Sequence, residues 1–446
     1  MDLSCRVHLR FGGYAMKRLW IQLALLSMIA GLAAGCGSNK AQPNSQPDKP
    51  SATEQTSITF WFPGADKVND DHFLQAVKDF EQSHPNIKVE TTVLPANAQD
   101  IETKLNAAQM SGTFPDVFSA YLVYMGTRGS RGEFAELDNY IANWDEKDDI
   151  YESAYEAGQY QGKTYGIGFF PAPEILTYRK DFFREAGLDP EAPPANWEQL
   201  AEAAVKLTVK DDKGNVTRAG FDIPAISPAL VFLEPFMRQN ESAVIDEVKG
   251  VPAFSDQASV EALQYIVDVH DQGVSIPYNY QKKDEIPFVN GNAAMSFLQT
   301  SQISSIIKNQ PEWGKELGFA PVLTHKKQVA FNGQRLFTIG SESKQKDAAW
   351  EFIKFMMSKE QMWKRYEELN IPVVRKSLEE QFIQANPEMN KVLLQYVELG
   401  KGKAVVPWTS LANKHMSLAY EEALSKSKTP EQALKDAETN LLNELK

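Results

Sequence analysis

Cysteine is almost absent from this chain of 446 residues. Only Cys5 and Cys36 occur, so the sequence has no disulfide framework and no four-thiolate zinc site. Basic residues are in the minority too, with 46 lysines and arginines against 59 acidic residues and a net charge of −13. This balance argues against a nucleic-acid-binding protein, which carries a basic patch or stripe. A hydrophobic fraction of 43% is nevertheless ordinary for a globular protein with a sizeable core.

Motifs of common enzymes are missing as well. No HExxH or GxSxG motif occurs, and the six histidines lie far apart in the sequence. The segment from Gly158 to Thr164 resembles a phosphate-binding loop, but it has three residues between its glycines where four are needed. We therefore interpret it as a β-turn and expect neither a cofactor nor a metal. Carboxylates are abundant, so a glycosidase acid/base pair stays open by residue type alone.

The most hydrophobic run, Leu19 to Ala34, is too short for a membrane span of about 20 residues. Lys17 and Arg18 come directly before it, and small residues follow it, as is typical of a secretory signal peptide. We therefore expect a signal peptide over 1–35, with translation starting at Met16.

The end of this run, Leu32-Ala33-Ala34-Gly35-Cys36, resembles the bacterial lipobox, with Ala33 where leucine is usual. The resemblance implies that Cys36 is acylated and becomes the new amino terminus. Residues 36–56 lack large apolar side chains and predict a disordered tether. The globular body should then lie at the cell membrane, lipid-anchored on the extracytoplasmic face. The alternative is a soluble secreted protein with a lone buried cysteine.

Strand and helix patterns alternate in the body. Strands are predicted at Ser57–Phe62, at Ile87–Leu94 and from Pro115, with helices around Phe73–Phe80 and Ile101–Ala108 between them. This alternation favours a parallel sheet with helices on its faces, and hence an α/β fold. Later patterns predict a strand at Tyr165–Tyr178, a helix at Trp197–Leu207, a hairpin loop at Asp211–Asn215, and helices at Trp350–Trp363 and Pro430–Leu445.

Several short motifs occur in an ordered series along the chain. They are Ile58–Lys67, Phe80–Val89, Ser111–Val117, Gly162–Ile167, Tyr178–Phe182, Asn290–Met295, Ala348–Ile353 and Thr429–Leu434. In order and spacing they resemble the extracellular solute-binding proteins of bacterial ABC importers, family 1, which includes sugar binders similar to maltose-binding protein. The resemblance covers nearly all of 57–446.

The resemblance implies a periplasmic-binding-protein-like fold of type II, with two α/β lobes joined by a hinge and the ligand between them. Chain crossings are expected near Gly168–Pro171, Phe331–Leu336 and Met356–Glu360. The first lobe should comprise 57–168 and about 333–357, and the second about 169–332 and 358–446. The implied function is non-enzymatic: a monomer binds a carbohydrate, an oligosaccharide, and delivers it to a membrane permease.

The resemblance also implies ligand contacts in the loops after the first and third strands, in the crossing segments and in two later helices. The residues there are Trp61, Asp66, Lys67, Asp116, Tyr121, Tyr124, Phe170, Glu174, Gln299, Ser301, Asn332, Arg335, Trp408 and Asn413. Aromatic rings cover the apolar faces of a pyranose, and polar side chains bind its hydroxyls.

Some of these positions have a second interpretation. Asp66 and Lys67 also suit solvated surface, Asp116 suits a strand-end cap, and Phe170 suits hinge core. The charged pair that relatives often carry after the third strand is missing, which weakens any transfer of maltose-type specificity. Arg335 is also compatible with a ligand carboxylate, as in a uronate.

Two other functions stay open. The same receptor fold could bind a polyamine, a peptide or a metal chelate, although Arg335 would oppose a cationic ligand. A glycoside-active lipoprotein on a related scaffold is the second alternative.

Overall fold

The structure, a computed structural model, describes residues 55–224, 229–246, 249–276, 286–402 and 405–446. The expected signal peptide, Cys36 and the tether up to residue 54 lie outside the described residues. Thr56, the last residue of the expected tether, already belongs to the first strand. Among the residues described, no helix is long and apolar enough to cross a membrane.

A parallel α/β unit starts the described chain, as the sequence predicts. It comprises β1 (Thr56–Pro63), α1 (Lys67–Ser83), β2 (Ile87–Leu94), α2 (Ala98–Ser111) and β3 (Val117–Tyr121). β1 lies between β2 and β3 and pairs with both in parallel. Asp66 and Asn97 cap the two helices by accepting hydrogen bonds from backbone N–H groups of the first turn. The predicted parallel arrangement is confirmed.

The middle of the chain combines short helices with long strands. Its elements are α3 (Val123–Gly129), α4 (Asp138–Ala142), α5 (Glu152–Glu156), β4 (Gln159–Tyr160), β5 (Lys163–Thr164), β6 (Gly166–Arg179), α6 (Lys180–Glu185), α7 (Trp197–Leu207), β7 (Val209–Lys210), β8 (Val216–Arg218), α8 (Ala229–Gln239), β9 (Val244–Asp246), β10 (Val251–Ala253), α9 (Gln257–Asp271), β11 (Met295–Gln299), α10 (Thr300–Asn309), α11 (Pro311–Gly314), β12 (Leu317–Phe319) and β13 (Ala330–Ile339). The predicted strand at Tyr165–Tyr178, helix at Trp197–Leu207 and hairpin at Asp211–Asn215 are confirmed as β6, α7 and the β7–β8 hairpin.

The carboxyl-terminal part is mostly helical. It contains α12 (Lys346–Met356), α13 (Lys359–Leu369), α14 (Glu379–Ala385), α15 (Pro387–Glu398), β14 (Gly400–Lys401), α16 (Thr409–Leu424) and α17 (Pro430–Glu444). α17 confirms the helix predicted at Pro430–Leu445 to within one residue.

Two long strands, β6 and β13, connect a first half of the main sheet (β1, β2 and β3) to a second half (β11 and β12). Its order is β11-β6-β13-β3-β1-β2, with β12 also paired to β6 and β14 to β13. The first half of β6 pairs with β13, and its second half pairs with β11 and β12. β13 pairs with β3 from Arg335 to Ile339 and with β6 from Asn332 to Thr338. Its residues from Asn332 to Gln334 therefore pair with β6 but not with β3. The crossings expected near 168–171 and 331–336 thus fall on β6 and β13.

The carboxyl-terminal helices differ from expectation in one region. The sequence predicts one helix over Trp350–Trp363, but the structure has α12 and α13, and Ser358 caps α13 by accepting a hydrogen bond from the N–H of Gln361. Both helices contact α1, and the crossing near Met356–Glu360 stays a prediction. The lobe boundary expected at 357/358 would separate α12 from α13, although both helices pack on α1. Farther along the chain, α16 packs on α8 and α9, and α17 packs on α9.

Hydrophobic clusters cover both faces of the sheet. The largest contains Phe60, Phe62 and Phe73 under α1 and extends along the crossing strands. A second cluster joins α7, α8, α9, α16 and α17, and a third lies between α2, α3 and the opposite face of β1 and β3. Phe169 of β6 stacks on Phe337 of β13 with ring centroids 3.7 Å apart. The crossing strands are therefore fixed to each other by side-chain packing as well as by backbone pairing.

One buried carboxyl group in the second half has no basic partner among the residues described. Asp222 is 8% exposed and accepts a hydrogen bond of 3.2 Å from the hydroxyl of Ser296. Burial raises the pKa of Asp222 to about 6, although the Ser296 hydrogen bond acts in the opposite direction. The folded state therefore retains a proton there at pH values where the unfolded chain, with a pKa near 3.9, has lost it.

This difference predicts a pH-dependent stability. The free energy of unfolding should fall as the pH rises from about 4 to 6, and the loss should persist at higher pH, by roughly 2–3 kcal/mol. Asp222→Asn should therefore be more stable than the native protein at pH 7.5, with a difference that shrinks towards pH 4. Urea unfolding at a series of pH values measures this. An equal difference at pH 4 and pH 7.5 would contradict the assignment.

Candidate functional site

A row of side chains follows one face of the two crossing strands. Register pairs Arg335 with Phe170, and Gly333 with Ala172. Since side chains alternate along a strand, Phe170, Ala172 and Glu174 of β6 share a face with Phe331, Gly333 and Arg335 of β13. Glu174 and Phe331 line the same pocket, which supports this placement. We call these six positions the crossing-strand face.

Arg335 is the charged residue at the first-half end of this face. It is 6% exposed, and its Nη2 donates a hydrogen bond of 2.8 Å to the carbonyl oxygen of Pro63, the last residue of β1. Its guanidinium carbon lies 5.5 Å from the ring centroid of Tyr121 and 5.1 Å from that of Phe170. Burial lowers the pKa of Arg335. The predicted contacts Tyr121, Phe170 and Arg335 are thus brought together.

Tyr124 extends this group along α3. Its ring centroid lies 6.2 Å from that of Tyr121, and Arg128 lies 5.7 Å from the Tyr124 ring. Burial raises the pKa of Tyr124 to about 12, so its hydroxyl is protonated at neutral pH. Tyr121 is half-buried and Tyr124 is buried, so Tyr121 is the more accessible ring of the pair.

Glu174 marks the other end of the crossing-strand face. Gln299 is its register partner on β11 and donates a hydrogen bond of 3.5 Å to it. Ser301 follows in the first turn of α10 and is exposed. The structure therefore places Glu174, Gln299 and Ser301 next to one another. They lie on the β11 side of the sheet, beyond the part of β6 that pairs with β13.

An aromatic wall that the sequence did not predict lies beside Glu174. Phe232, Pro235 and Phe236 of α8, together with Phe297 and Phe331, line a narrow cavity of about 20 Å³, which has room for one water molecule. The preceding residue Glu234 is 2% exposed and is paired with Arg238 at 2.6 Å. Pro235 was the available signal of an unusual helix here, because a proline inside an apolar helical segment removes a helix hydrogen bond.

The loop after β1 lies close to Arg335, because Pro63 accepts the hydrogen bond from that residue. Asp66 is exposed and caps α1, with its Oδ1 2.9 Å from the N–H of Asn69. Lys67 is exposed and forms an ion pair with Asp71. Trp61 is half-buried among Leu94 and Phe118 on the opposite face of the sheet from Phe60 and Phe62. It is therefore separated from the crossing-strand face by the sheet itself.

Asp116 lies at the wrong end of β3 for this site. It precedes the strand, whereas Tyr121 ends it. Its carboxylate accepts hydrogen bonds from the N–H and hydroxyl of Thr59, at 2.8 and 2.9 Å, and one from Ser343. The structure therefore gives Asp116 the capping position that was its second interpretation, and we leave it out of the proposed site.

Asn332 lies inside the hinge and is fully buried. Its Oδ1 accepts a hydrogen bond of 3.1 Å from the N–H of Ala172, and its Nδ2 donates one of 3.4 Å to the carbonyl of Val397. By alternation it faces away from Arg335. The side chain joins β13, β6 and α15, so the structure assigns it a hinge contact, in place of the ligand contact that the resemblance implied.

Trp408 and Asn413 belong to the start of α16. Both are half-buried, and Trp408 packs against the second cluster. α16 contacts α3, and a Cβ atom at Gly126 of α3 would lie only 2.3 Å from the carbonyl oxygen of Val406. Glycine at 126 therefore lets the chain before α16 approach the helix that carries Tyr124.

The fold and this site can now be compared with known proteins. A family model described as bacterial extracellular solute-binding protein matches residues 75–391. The chain belongs to this family. The arabinooligosaccharide-binding protein of Bacillus subtilis (strain 168) is 23% identical over 359 residues, covering 78% of this chain and 78% of the relative. The sn-glycerol-3-phosphate-binding periplasmic protein UgpB of Pectobacterium atrosepticum is 23% identical over 420 residues, covering 86% and 90%.

Solved structures of sugar-binding proteins share the fold. The sugar-binding protein MalE from Xanthomonas citri superimposes with a TM-score of 0.76 at 19% identity, covering 86% of this chain and 96% of that one. The chain thus has the two-lobed α/β fold of the periplasmic binding proteins, as the sequence resemblance implied. The family and these relatives are binding proteins and not enzymes.

The hinge position of Asn332 predicts a stability defect on truncation. Asn332→Ala leaves the Ala172 N–H and the Val397 carbonyl without a partner in the interior, which should lower the free energy of unfolding by about 2–4 kcal/mol. Urea unfolding of the ligand-free protein measures this. Unchanged stability combined with lost ligand affinity would contradict the hinge assignment and restore Asn332 as a ligand contact.

Proposed function

We propose that this protein is the substrate-binding lipoprotein of an ABC importer, which captures an oligosaccharide between its lobes and delivers it to a membrane permease. Membership of the solute-binding family supports this proposal. Relatives named for an arabinooligosaccharide and for a sugar-alcohol phosphate support a carbohydrate or closely related polyol as the ligand. In this proposal the protein acts as a monomer and binds no nucleic acid.

The single observation that carries the ligand class is the mixture of groups along the crossing-strand face. Tyr121, Phe170 and Phe331 offer ring surfaces to the apolar C–H faces of a pyranose. Glu174 and Arg335 on the same face, with Gln299 beside them, offer acceptors and donors for its hydroxyls. Asp66, Lys67, Ser301, Trp408 and Asn413 remain proposed contacts at the rim, and Trp61 is the weakest candidate because it lies behind the sheet.

Three other ligand classes and one enzymatic function compete with this one. An exposed acidic and aromatic site would suit a polyamine, but the buried cation Arg335 opposes a second cation nearby. A peptide could pair its termini with Arg335 and Glu174, but the relatives are named for an oligosaccharide and for a glycerol phosphate, which favours a carbohydrate or polyol over a peptide or a metal chelate. A glycoside-active enzyme would need two carboxylates flanking the scissile bond, whereas Glu174 is the one carboxylate on the crossing-strand face.

A ligand panel tests the proposal directly. Oligosaccharides should raise the melting temperature of the purified protein by mass action, since a ligand at 100 times its Kd contributes about 2.7 kcal/mol. Tyr121→Ala should weaken binding by about 1–2 kcal/mol, roughly tenfold in Kd. Tyr140→Ala is the matched control: Tyr140 is also half-buried, but its hydroxyl is bonded to Asp347 and its ring packs against Trp350 instead of lying beside Arg335. Stabilisation by polyamines or peptides alone, or release of reducing ends, would contradict a sugar receptor.

The membrane attachment belongs to the same proposal. Acylation of Cys36, followed by the tether, would place the body on the extracytoplasmic face of the cell membrane. Cys36→Ser should release the protein into the medium or leave an uncleaved precursor, while Cys5→Ser should change nothing because Cys5 precedes the cleavage site. Membrane fractionation and the intact mass measure both. A processed Cys36→Ser protein that stays on the membrane would contradict lipid attachment at this residue.

A further inference from the structure

Arg335 is unusual among the buried arginines of the described chain. Arg128 pairs with Glu102 and Glu133, Arg375 with Glu146 and Asp149, and Arg179 with Asp181. Arg365 has no carboxylate but donates to two carbonyl oxygens, those of Phe169 and Met356. Arg335 has one hydrogen bond, to Pro63, and its Nε is buried without a partner, as are the Nε atoms of Arg128 and Arg365. Within the described residues no carboxylate forms an ion pair with it.

This arrangement is electrostatically unfavourable in the empty protein. A buried cation loses hydration, and a single neutral carbonyl replaces only part of it. Burial and, after it, the positive charge of Arg335 lower the pKa of Arg365 across the interior. Tyr121 and, after it, Asp70 in the first turn of α1 are the acidic groups that raise the pKa of Arg335, and Asp70 does so without an ion pair. A negative charge next to Arg335 would relieve this imbalance.

The surroundings of Arg335 are built to receive such a group beside a sugar ring. Tyr121 and Phe170 are half-buried and flank the guanidinium at 5.5 and 5.1 Å, and Phe73 lies beneath it at 5.6 Å. None of the three side chains accepts a hydrogen bond from Arg335, whose one bond goes to Pro63. A pyranose stacked on Tyr121 or Phe170 would bring a ring substituent within reach of the unused donors.

We propose that the carbohydrate bound by this protein carries an acidic group, a carboxylate or a phosphate, and that Arg335 binds it. This inference rests on the proposed function and narrows it to acidic sugars. A guanidinium suits both groups because its donors match two oxygens of one anion. Neutral hydroxyls would satisfy the donors but would leave the buried charge uncompensated.

Matched ligands separate the possibilities. Each oligosaccharide is offered to the purified protein in its neutral form, as the uronate of the same linkage and as a phosphate ester, and binding is measured calorimetrically. The acidic form should bind at least about tenfold more tightly than its neutral counterpart. The uronate and ester arms show which acid is preferred. Equal or tighter binding of neutral forms would overturn this inference and leave the receptor function intact, whereas failure of every sugar would contradict the receptor function itself.

Two variants test the role of Arg335 in particular. Arg335→Met keeps much of the side-chain length and removes the charge, so the acidic preference should fall to about one. Because the charge is unpaired, the ligand-free melting temperature of Arg335→Met should stay level or rise. A fall in melting temperature with an unchanged acidic preference would show that Arg335 is merely structural and would overturn the proposal.

Arg365→Met is the matched control for these measurements. Arg365 is equally buried and also lacks a carboxylate, but both of its hydrogen bonds end on backbone carbonyls of the interior. This control should lower stability and leave the ratio of acidic to neutral binding unchanged. Arg335→Lys provides a second measure, since it keeps the charge without the paired donors and should retain part of the acidic preference. A loss of acidic preference in Arg365→Met alone would overturn the assignment to Arg335.

Discussion

The pairing of β6 with β13 is the constraint on which the rest of this molecule depends. β6 belongs to the first half of the sheet where it runs beside Phe337 and Leu336, and to the second half where it pairs with β11. Both halves are therefore built on the same two strands. A side chain on these strands is fixed relative to both halves at once, and a change in their relative orientation must be absorbed close to this point.

The two faces of β6 and β13 differ in what their side chains contact. On one face Asn332 connects the strands to α15 through two backbone groups, which fixes their separation. On the other face Arg335 makes one hydrogen bond, and Phe170 beside it is half-buried. Asn332 uses both polar atoms of its side chain within the protein, whereas Arg335 has a buried Nε without a partner. A buried cation with one hydrogen bond and no ion pair among the residues described is costly, and this cost supports the proposed acidic partner for Arg335.

Local patterns were sufficient for most of the elements. The apolar alternation of Ile87–Leu94, the cap at Asp66 and Gly112 after α2 each act within a few residues, and each predicted element appears where expected. The break at Ser358 was missed because the apolar face continues through it, and only its cap reveals the start of a new helix. The residues of α8 were missed because their partners on β11 and β13 are 60 to 100 positions away.

The sequence by itself determined the alternation of strands and helices, the lipobox-like segment before Cys36 and the ordered motifs that place the chain in its family. Only the tertiary structure decided which polar residues are free to meet a ligand. Asp116, Asn332 and Arg335 are all polar residues in the sequence. The structure places Asp116 at the far end of β3, Asn332 in the hinge and Arg335 among aromatic rings. The reason is physical: alternation along a strand sets which face a side chain takes, and long-range pairing sets what that face meets.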